Sequence, residues 1–218
     1  MARSVILSVA ALLALIFIPA GTFHYWQGWA YVVTWAIVGS AYTAYLANHD
    51  PALLKRRSQG GISQEKEPAQ KIVVFFLFAA FIALIVLAPL DVRFGWSHLP
   101  WYTSACGDIL IAISFYIFYL VSKVNTYAAA NVRVEEGQKV ISTGVYSLIR
   151  HPMYSGGLLF LAGTPIALGS SWSLLFLPLF FLILYFRMAN EEKVLARDLE
   201  GYTGYMQKVR YRLVPFVW

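Results

Sequence analysis

Residues 72–90 read IVVFFLFAAFIALIVLAPL and contain no charged side chain. A helix needs roughly 20 mostly apolar residues to cross a bilayer, because each residue rises about 1.5 Å and the hydrocarbon core is about 30 Å thick. This stretch therefore predicts a membrane-spanning helix. Further apolar stretches lie on both sides of it, including a glycine-rich one that carries Pro165, which a membrane helix tolerates. We expect six spans, at roughly residues 5–20, 26–47, 72–90, 103–122, 153–170 and 173–188.

The composition of the whole chain agrees with this interpretation. Of the 218 residues, 59% are hydrophobic and only 13% are charged, whereas an ordinary soluble domain has about 25% charged residues. A disordered chain, a nucleic-acid-binding domain and a disulfide scaffold are therefore excluded. Cys106 is the single cysteine, so an intrachain disulfide, a zinc knuckle or an iron–sulfur cluster cannot form. We predict an all-α polytopic membrane protein, with no nucleic acid and no metal.

The distribution of the basic residues predicts an orientation. If the amino terminus lies inside, only Arg93 of the 17 Lys and Arg residues falls in an outer loop. Cytoplasmic loops carry the excess of Lys and Arg, so both termini are expected in the cytoplasm. The run Lys55-Arg56-Arg57 is then a topology signal rather than an RNA-binding patch. The first segment lacks a small-x-small cleavage pattern at its end, and we expect a retained helix rather than a signal peptide.

The remaining segments divide the chain into two predicted regions, four N-terminal spans in residues 1–123 and a C-terminal region in 124–218. The two last spans are separated only by a turn near residues 171–172 and should form a helical hairpin. Residues 48–71 look like a plain connecting loop. Apolar residues recur at helical spacing between 190 and 209 and predict one amphipathic helix at the membrane surface; they are Leu195, Leu199, Tyr202, Met206 and Val209.

Polar groups are concentrated at two places on the predicted cytoplasmic face. The first is GQKVISTGVY at residues 137–146, followed by RHPMYSG at 150–156. Proline is favoured in the first turn of a helix, so Pro152 is expected to open the fifth span. The free N–H groups of a helix start attract anionic ligands. The alternative is that Arg150 is only a basic flank and that His151 caps the helix.

The second concentration is FRMANEE at residues 186–192. Arg187 and Glu191 are four residues apart, so they share a helix face and can pair. One interpretation is an interfacial ion pair with a snorkelling arginine. The other is an anion site, because a guanidinium binds a substrate carboxylate bidentately. Asp108 lies inside the fourth span, where a hydrogen bond to a helix neighbour or to water is the expected role.

These blocks, in this order, resemble the isoprenylcysteine carboxyl methyltransferase family of integral membrane enzymes. The matching residues are 140–146, 150–156, Arg187 with Glu191-Glu192, and the tail between Gly201 and Pro215. The resemblance implies S-adenosyl-L-methionine as the methyl donor. It implies donor contacts at Gln138, Lys139, Val140, Ile141, Tyr146, His151, Pro152, Met153, Tyr154 and Glu191.

The resemblance also implies that Arg187 is the catalytic residue that holds the carboxylate of the acceptor. The acceptor would be a lipophilic small molecule or a lipidated substrate, such as a prenylated cysteine, that arrives from the lipid bilayer. A thiol or an amine acceptor remains open, and it would need a base such as Glu191, Glu192 or His151. Two alternative functions are an NADPH-dependent reductase of the sterol-reductase type and a small transporter. The transporter is disfavoured because its polar groups should lie near the bilayer midplane.

Overall fold

The computed structural model describes residues 2–65, 68–128, 131 and 134–218, with side chains from residue 7 onward. Lys66 and Arg133, two of the cations counted in the topology prediction, lie outside the described residues. The described ranges contain helices and no strand, which confirms the all-α class. The α-helices are α1 Ala2–Ala20, α2 Trp26–His49, α3 Pro51–Ser58, α4 Pro68–Phe94, α5 Trp101–Val124, α6 Pro152–Ala167, α7 Phe176–Asp198 and α8 Tyr202–Lys208.

Four helices of the described chain are long and apolar enough to cross a membrane: Trp26–His49, Pro68–Phe94, Trp101–Val124 and Trp172–Asp198. The last of these includes a short 3₁₀ turn, Trp172–Leu175, that precedes α7. Helix α1 contributes a shorter apolar helix, Leu7–Ala20, and α6 has 16 residues. Each of the six predicted segments therefore contains a helix, while the count of six spans stays a prediction.

The chain forms two compact units. The first comprises Met1–Ser40, Phe78–Phe115 and Leu158–Phe180. Within it, α5 and α6 approach closely, because an ideal Cβ at Gly107 would lie 2.2 Å from the backbone nitrogen of Ala167. Small residues of this kind allow two membrane helices to pack backbone against backbone.

This close approach gives a stability prediction. Replacing Gly107 with alanine should lower the free energy of unfolding by about 1–3 kcal/mol, since the new methyl group must displace backbone and cannot be relieved by moving a side chain. Gly157→Ala in α6 is the control, because its Cβ would meet nothing within 4 Å and alanine favours a helix over glycine by about 1 kcal/mol. Thermal unfolding in detergent measures the stability of both variants. Equal melting temperatures for the two variants would contradict the close packing.

The same unit contains a polar cluster that the sequence analysis did not predict. The carboxylate of Asp91 is fully buried, and its Oδ2 accepts hydrogen bonds from the hydroxyls of Ser97 and Ser170, each at 2.6 Å. It also accepts one from the backbone N–H of Trp172 at 3.3 Å. Asp91 therefore fixes the start of the 3₁₀ turn that leads into α7. Oδ1 of Asp91 and Oδ1 of Asp108 are both buried and find no hydrogen-bond partner in the described part of the chain.

The second unit comprises Ala41–Leu77, Tyr116–Gly157 and Phe181–Trp218. The prediction of one amphipathic helix over 190–209 is wrong. Helix α7 runs on to Asp198, and the chain then breaks at Gly201, whose φ of 83° lies in the left-handed region. Three residues of the apolar stripe, Leu199, Tyr202 and Val209, instead form a buried cluster of this unit together with Tyr205. Leu195 and Met206 are partly buried against it.

The prediction of a plain loop over 48–71 is also wrong. Helix α3 begins at Pro51, and the side chain of Asp50 caps it by accepting a hydrogen bond from the backbone N–H of Leu53 at 2.8 Å. Leu53 itself is fully buried. An aspartate at the N-cap followed by proline at the first helical position is a recognised helix start, so the signal was present in the sequence.

Candidate functional site

Helix α6 begins at Pro152, as the His-Pro sequence predicts. The carbonyl of His151 accepts hydrogen bonds from the backbone N–H groups of Tyr154 and Ser155 at 3.0 and 3.2 Å. His151 thus precedes the first turn of the helix, as the capping alternative proposes. Its side chain is 3% exposed and belongs to a buried ionic group.

That group, the Glu192 cluster, consists of Arg150, His151, Glu192 and Arg212. The carboxylate of Glu192 accepts hydrogen bonds from Nε of Arg150 at 2.8 Å and from Nη2 of Arg212 at 2.8 Å. Nε2 of His151 lies 3.1 Å from the same carboxylate. Because buried charges are stable only when paired and hydrogen-bonded, Glu192 ties the start of α6 to the C-terminal tail.

Backbone contacts reinforce this attachment of the tail. The N–H groups of Arg150 and His151 donate to the carbonyls of Tyr211 and Arg212, each at 2.9 Å. The hydroxyl of Ser155 donates to the carbonyl of Leu213 at 2.6 Å. Residues 211–213 therefore hold the His-Pro turn in a fixed position.

A second buried group, the Arg187 cluster, consists of Glu65, Gln70, Tyr154, Arg187 and Glu191. The hydroxyl of Tyr154 donates to Glu191 and accepts from Nε of Arg187 at 3.1 Å. Nη1 of Arg187 donates to Oε1 of Gln70 at 2.9 Å, and Nη2 donates to Oε1 of Glu65 at 3.1 Å. The structure thus brings three predicted site residues together, with the Tyr154 hydroxyl between Arg187 and Glu191.

Glu65 and Gln70 were missed by the sequence analysis. They lie 122 and 117 positions from Arg187 in the chain, both within the segment 48–71 that was interpreted as a plain loop. No local spacing relates them to α7. Their burial, 3% exposed for Glu65 and 0% for Gln70, is unusual for a carboxylate and an amide and is explained by the guanidinium that both contact.

Tyr146 lies close to the second cluster. Its hydroxyl accepts a hydrogen bond from Nδ2 of Asn125 at 2.8 Å, and its carbonyl accepts one from the hydroxyl of Tyr205 at 2.8 Å. Burial raises the pKa of Tyr146, the Asn125 hydrogen bond lowers it, and the charge of Glu191 raises it again. Burial likewise raises the pKa of Tyr205 to about 12. Both phenols are therefore protonated at neutral pH. The Glu191 carboxylate is near enough for its charge to raise the pKa of Tyr146.

Arg56 and Arg57 of helix α3 contact other segments of the second unit. Nη1 of Arg57 lies 3.5 Å from Sδ of Met153 and donates to the carbonyl of Ala128 at 3.3 Å. Nη1 of Arg56 donates to the carbonyl of Thr126 at 2.9 Å. These two arginines thus hold the segment after α5 in place, a role beyond that of a topology signal.

The four predicted contacts at residues 138–141 have other neighbours. Oε1 of Gln138 accepts a hydrogen bond from the N–H of Glu135 at 2.9 Å. Val140 packs against the core around Leu199, Lys139 is exposed and Ile141 is half-buried. These contacts hold the segment beside α8, and the Arg187 cluster is built from other residues.

The two clusters offer a ligand both signs of charge beside aromatic rings. Arg187 supplies a buried guanidinium, Glu191 supplies a half-buried carboxylate, and the ring of Tyr154 lies 5.5 Å from that of His151. Within the described ranges, no group of three or more His, Cys, Asp or Glu residues is arranged to hold a metal ion. Charge pairing, hydrogen bonding and contact with aromatic faces are the interactions that Arg187, Glu191, Tyr154 and His151 supply.

Comparison with known proteins identifies related sequences. The family model described as phospholipid methyltransferase matches residues 102–200. Two rice proteins, from Oryza sativa subsp. indica and subsp. japonica, are each described as a probable protein-S-isoprenylcysteine O-methyltransferase. Each is 30% identical to this chain over 122 residues, which is 54% of this chain and 63% of the relative. The chain thus spans less than two thirds of the length of these relatives.

The matched segment contains α6, the whole of α7 and the residues of both clusters between Arg150 and Glu192. The family model and both relatives carry methyltransferase descriptions, so the comparisons do not favour the reductase alternative. The resemblance indicated by the sequence motifs is therefore confirmed: this chain is similar to the isoprenylcysteine carboxyl methyltransferase family.

Proposed function

We propose that this chain is an integral membrane methyltransferase that uses S-adenosyl-L-methionine to methylate the carboxylate of a lipophilic acceptor, such as a prenylated cysteine. The observation that carries the proposal is the Tyr154 hydroxyl, which contacts Arg187 on one side and Glu191 on the other. An acceptor-binding cation and a donor-binding carboxylate are thereby adjacent to one aromatic ring. The methyltransferase descriptions of the related sequences support the same reaction class.

The proposal includes a membrane arrangement. With six spans, of which α6 and α7 form a hairpin, both termini and the active site would lie on the cytoplasmic side. The excess of Lys and Arg in the predicted inner segments supports this orientation. A polar methyl donor then enters from the cytosol, and a lipid-bearing acceptor enters sideways from the bilayer.

The residues present fit the donor by their chemistry. A sulfonium cation is attracted to aromatic faces, which Tyr146 and Tyr154 supply, and to the carboxylate of Glu191. The side-chain nitrogen of Asn190 is buried and has no hydrogen-bond partner in the described part of the chain, so one donor is available for a polar ligand. His151, Pro152, Met153 and residues 138–141 complete the proposed donor contacts, with Nε2 of His151 already engaged by Glu192.

When bound, S-adenosyl-L-methionine supplies an electrophilic methyl group. Transfer of that group to an acceptor carboxylate oxygen would break the carbon–sulfur bond and leave a neutral thioether, so no proton would need to move. The carboxylate is ionised at neutral pH and needs no general base. Arg187 binds and orients it, and the buried surroundings exclude water. Alignment of two reactants in this way can contribute about 7–11 kcal/mol to catalysis.

The direct test is binding and transfer by the purified protein in lipid nanodiscs. Isothermal titration should show saturable binding of S-adenosyl-L-methionine and of its demethylated product, and no comparable binding of NADPH. With N-acetyl-S-farnesylcysteine as acceptor, a labelled methyl group should appear in a base-labile ester. An absence of saturable donor binding would exclude the proposed activity, whereas a base-stable methylated product would exclude the carboxylate as acceptor.

A further inference from the structure

The guanidinium proposed to bind the acceptor already holds a carboxylate of its own chain. Oε1 of Glu65 lies 3.1 Å from Nη2 of Arg187, and the side chains are 1% and 6% exposed. Gln70 occupies Nη1 and Tyr154 occupies Nε. A bidentate acceptor carboxylate needs two adjacent nitrogens of the same guanidinium. Glu65 therefore stands where one arm of the acceptor would bind.

The charges around Arg187 make simultaneous binding unfavourable. Glu65 and Glu191 already place two carboxylates at the Arg187 cluster, one on Nη2 and one through the Tyr154 hydroxyl. An acceptor would add a further negative charge beside the buried guanidinium. Like charges brought together in a site of low polarity repel strongly, since little water is present to screen them.

We propose that Glu65 competes with the acceptor carboxylate for Arg187 and so determines acceptor affinity and selectivity. This inference rests on the proposed function. An ionised acceptor can replace Glu65 because it restores the same charge pair. A neutral molecule in the place of Glu65 would remove a carboxylate contact of the buried guanidinium without supplying another.

The position of Glu65 allows the exchange. It follows the 3₁₀ turn Ile62–Gln64 and has an extended backbone outside any helix, whereas Gln70 and Tyr154 belong to α4 and α6. These two helical residues keep the guanidinium oriented when Glu65 leaves it. Methylation then converts the acceptor to a neutral ester, and Glu65 regains Arg187 as the product departs.

The test is Glu65→Gln, which keeps the shape of the side chain and removes its charge. The KM for N-acetyl-S-farnesylcysteine should fall about tenfold, corresponding to loss of one competing charge. The Kd of S-adenosyl-L-methionine should stay within twofold. The inhibition constant of N-acetyl-S-farnesylcysteine methyl ester should change by less than the KM does, because this neutral ester has no carboxylate that Glu65 could compete with. Glu200→Gln, at an exposed carboxylate, is the matched control and should leave every constant unchanged.

These constants remain informative if part of the variant sample unfolds, since KM and inhibition constants do not depend on the concentration of active protein. An unchanged or raised KM in Glu65→Gln would overturn the inference and would indicate that Glu65 only supports Arg187. If the unmodified protein neither binds the donor nor methylates the acceptor, the proposed function itself fails. The two failures are therefore distinguishable.

Discussion

Replacing Arg187 with alanine is expected to lower kcat/KM for the farnesylated acceptor by about 10²–10³-fold, the usual effect of removing a buried donor that binds reacting charge. The affinity for S-adenosyl-L-methionine should change by less than about threefold, because the proposed donor contacts lie at other side chains. Arg187→Lys should recover only part of the loss, since an ammonium cannot form the planar bidentate contact of a guanidinium. Steady-state kinetics and donor titration in nanodiscs measure the two quantities separately.

Arg197→Ala is the matched control for this experiment. Arg197 lies on the same helix, is largely exposed and pairs with its neighbour Asp198 at 2.7 Å. Surface pairs of this kind contribute about 0–1 kcal/mol, so the variant should retain full activity. An equal loss of donor binding and acceptor turnover in Arg187→Ala would contradict a role in holding the acceptor.

Replacing Glu192 with alanine should lower the free energy of unfolding by about 3–5 kcal/mol. The change removes the one carboxylate that Arg150, His151 and Arg212 share, and it leaves buried positive charge without compensation. The start of α6 and the tail would then lose their common attachment. Thermal unfolding in detergent should show a clear drop in melting temperature.

Two further variants separate charge from shape at this position. Glu192→Gln keeps an oxygen that can accept a hydrogen bond. Its melting temperature should lie between those of the alanine variant and the unmodified protein. Glu200→Ala removes an exposed carboxylate of the same region and should change stability by less than about 0.5 kcal/mol. If Glu192→Ala and Glu200→Ala melted at the same temperature, the Glu192 cluster would not be a stabilising contact.

Local signals account for the features that sequence analysis could predict. Uncharged apolar runs identify the long helices, because a backbone in hydrocarbon must satisfy its own hydrogen bonds. The His-Pro pair identifies the start of α6. The spacing of Arg187 and Glu191 places them on one face of α7, and the family resemblance adds Tyr154, which the structure brings into contact with both.

The features that sequence analysis missed depend on contacts between distant segments. Nothing near Glu65 or Gln70 indicates that a guanidinium more than one hundred positions later will bury them. Asp91 likewise finds its partners only when the turn after α6 folds against it. The sequence shows the apolar stripe over 190–209. Its spacing does not show that the helix is interrupted at Gly201 or that residues of the stripe are buried in one cluster.

The attachment of residues 211–213 to the His-Pro turn has a consequence for biosynthesis. These carbonyls and Arg212 follow every other member of the two clusters in chain order. Domains fold as they emerge from the ribosome, starting from the amino terminus. The preceding helices can therefore be inserted before residues 211–213 are available to hydrogen-bond the turn at His151. Completion of the Glu192 cluster therefore has to wait until residues 211–213 have been translated, after the helices that precede them in the chain.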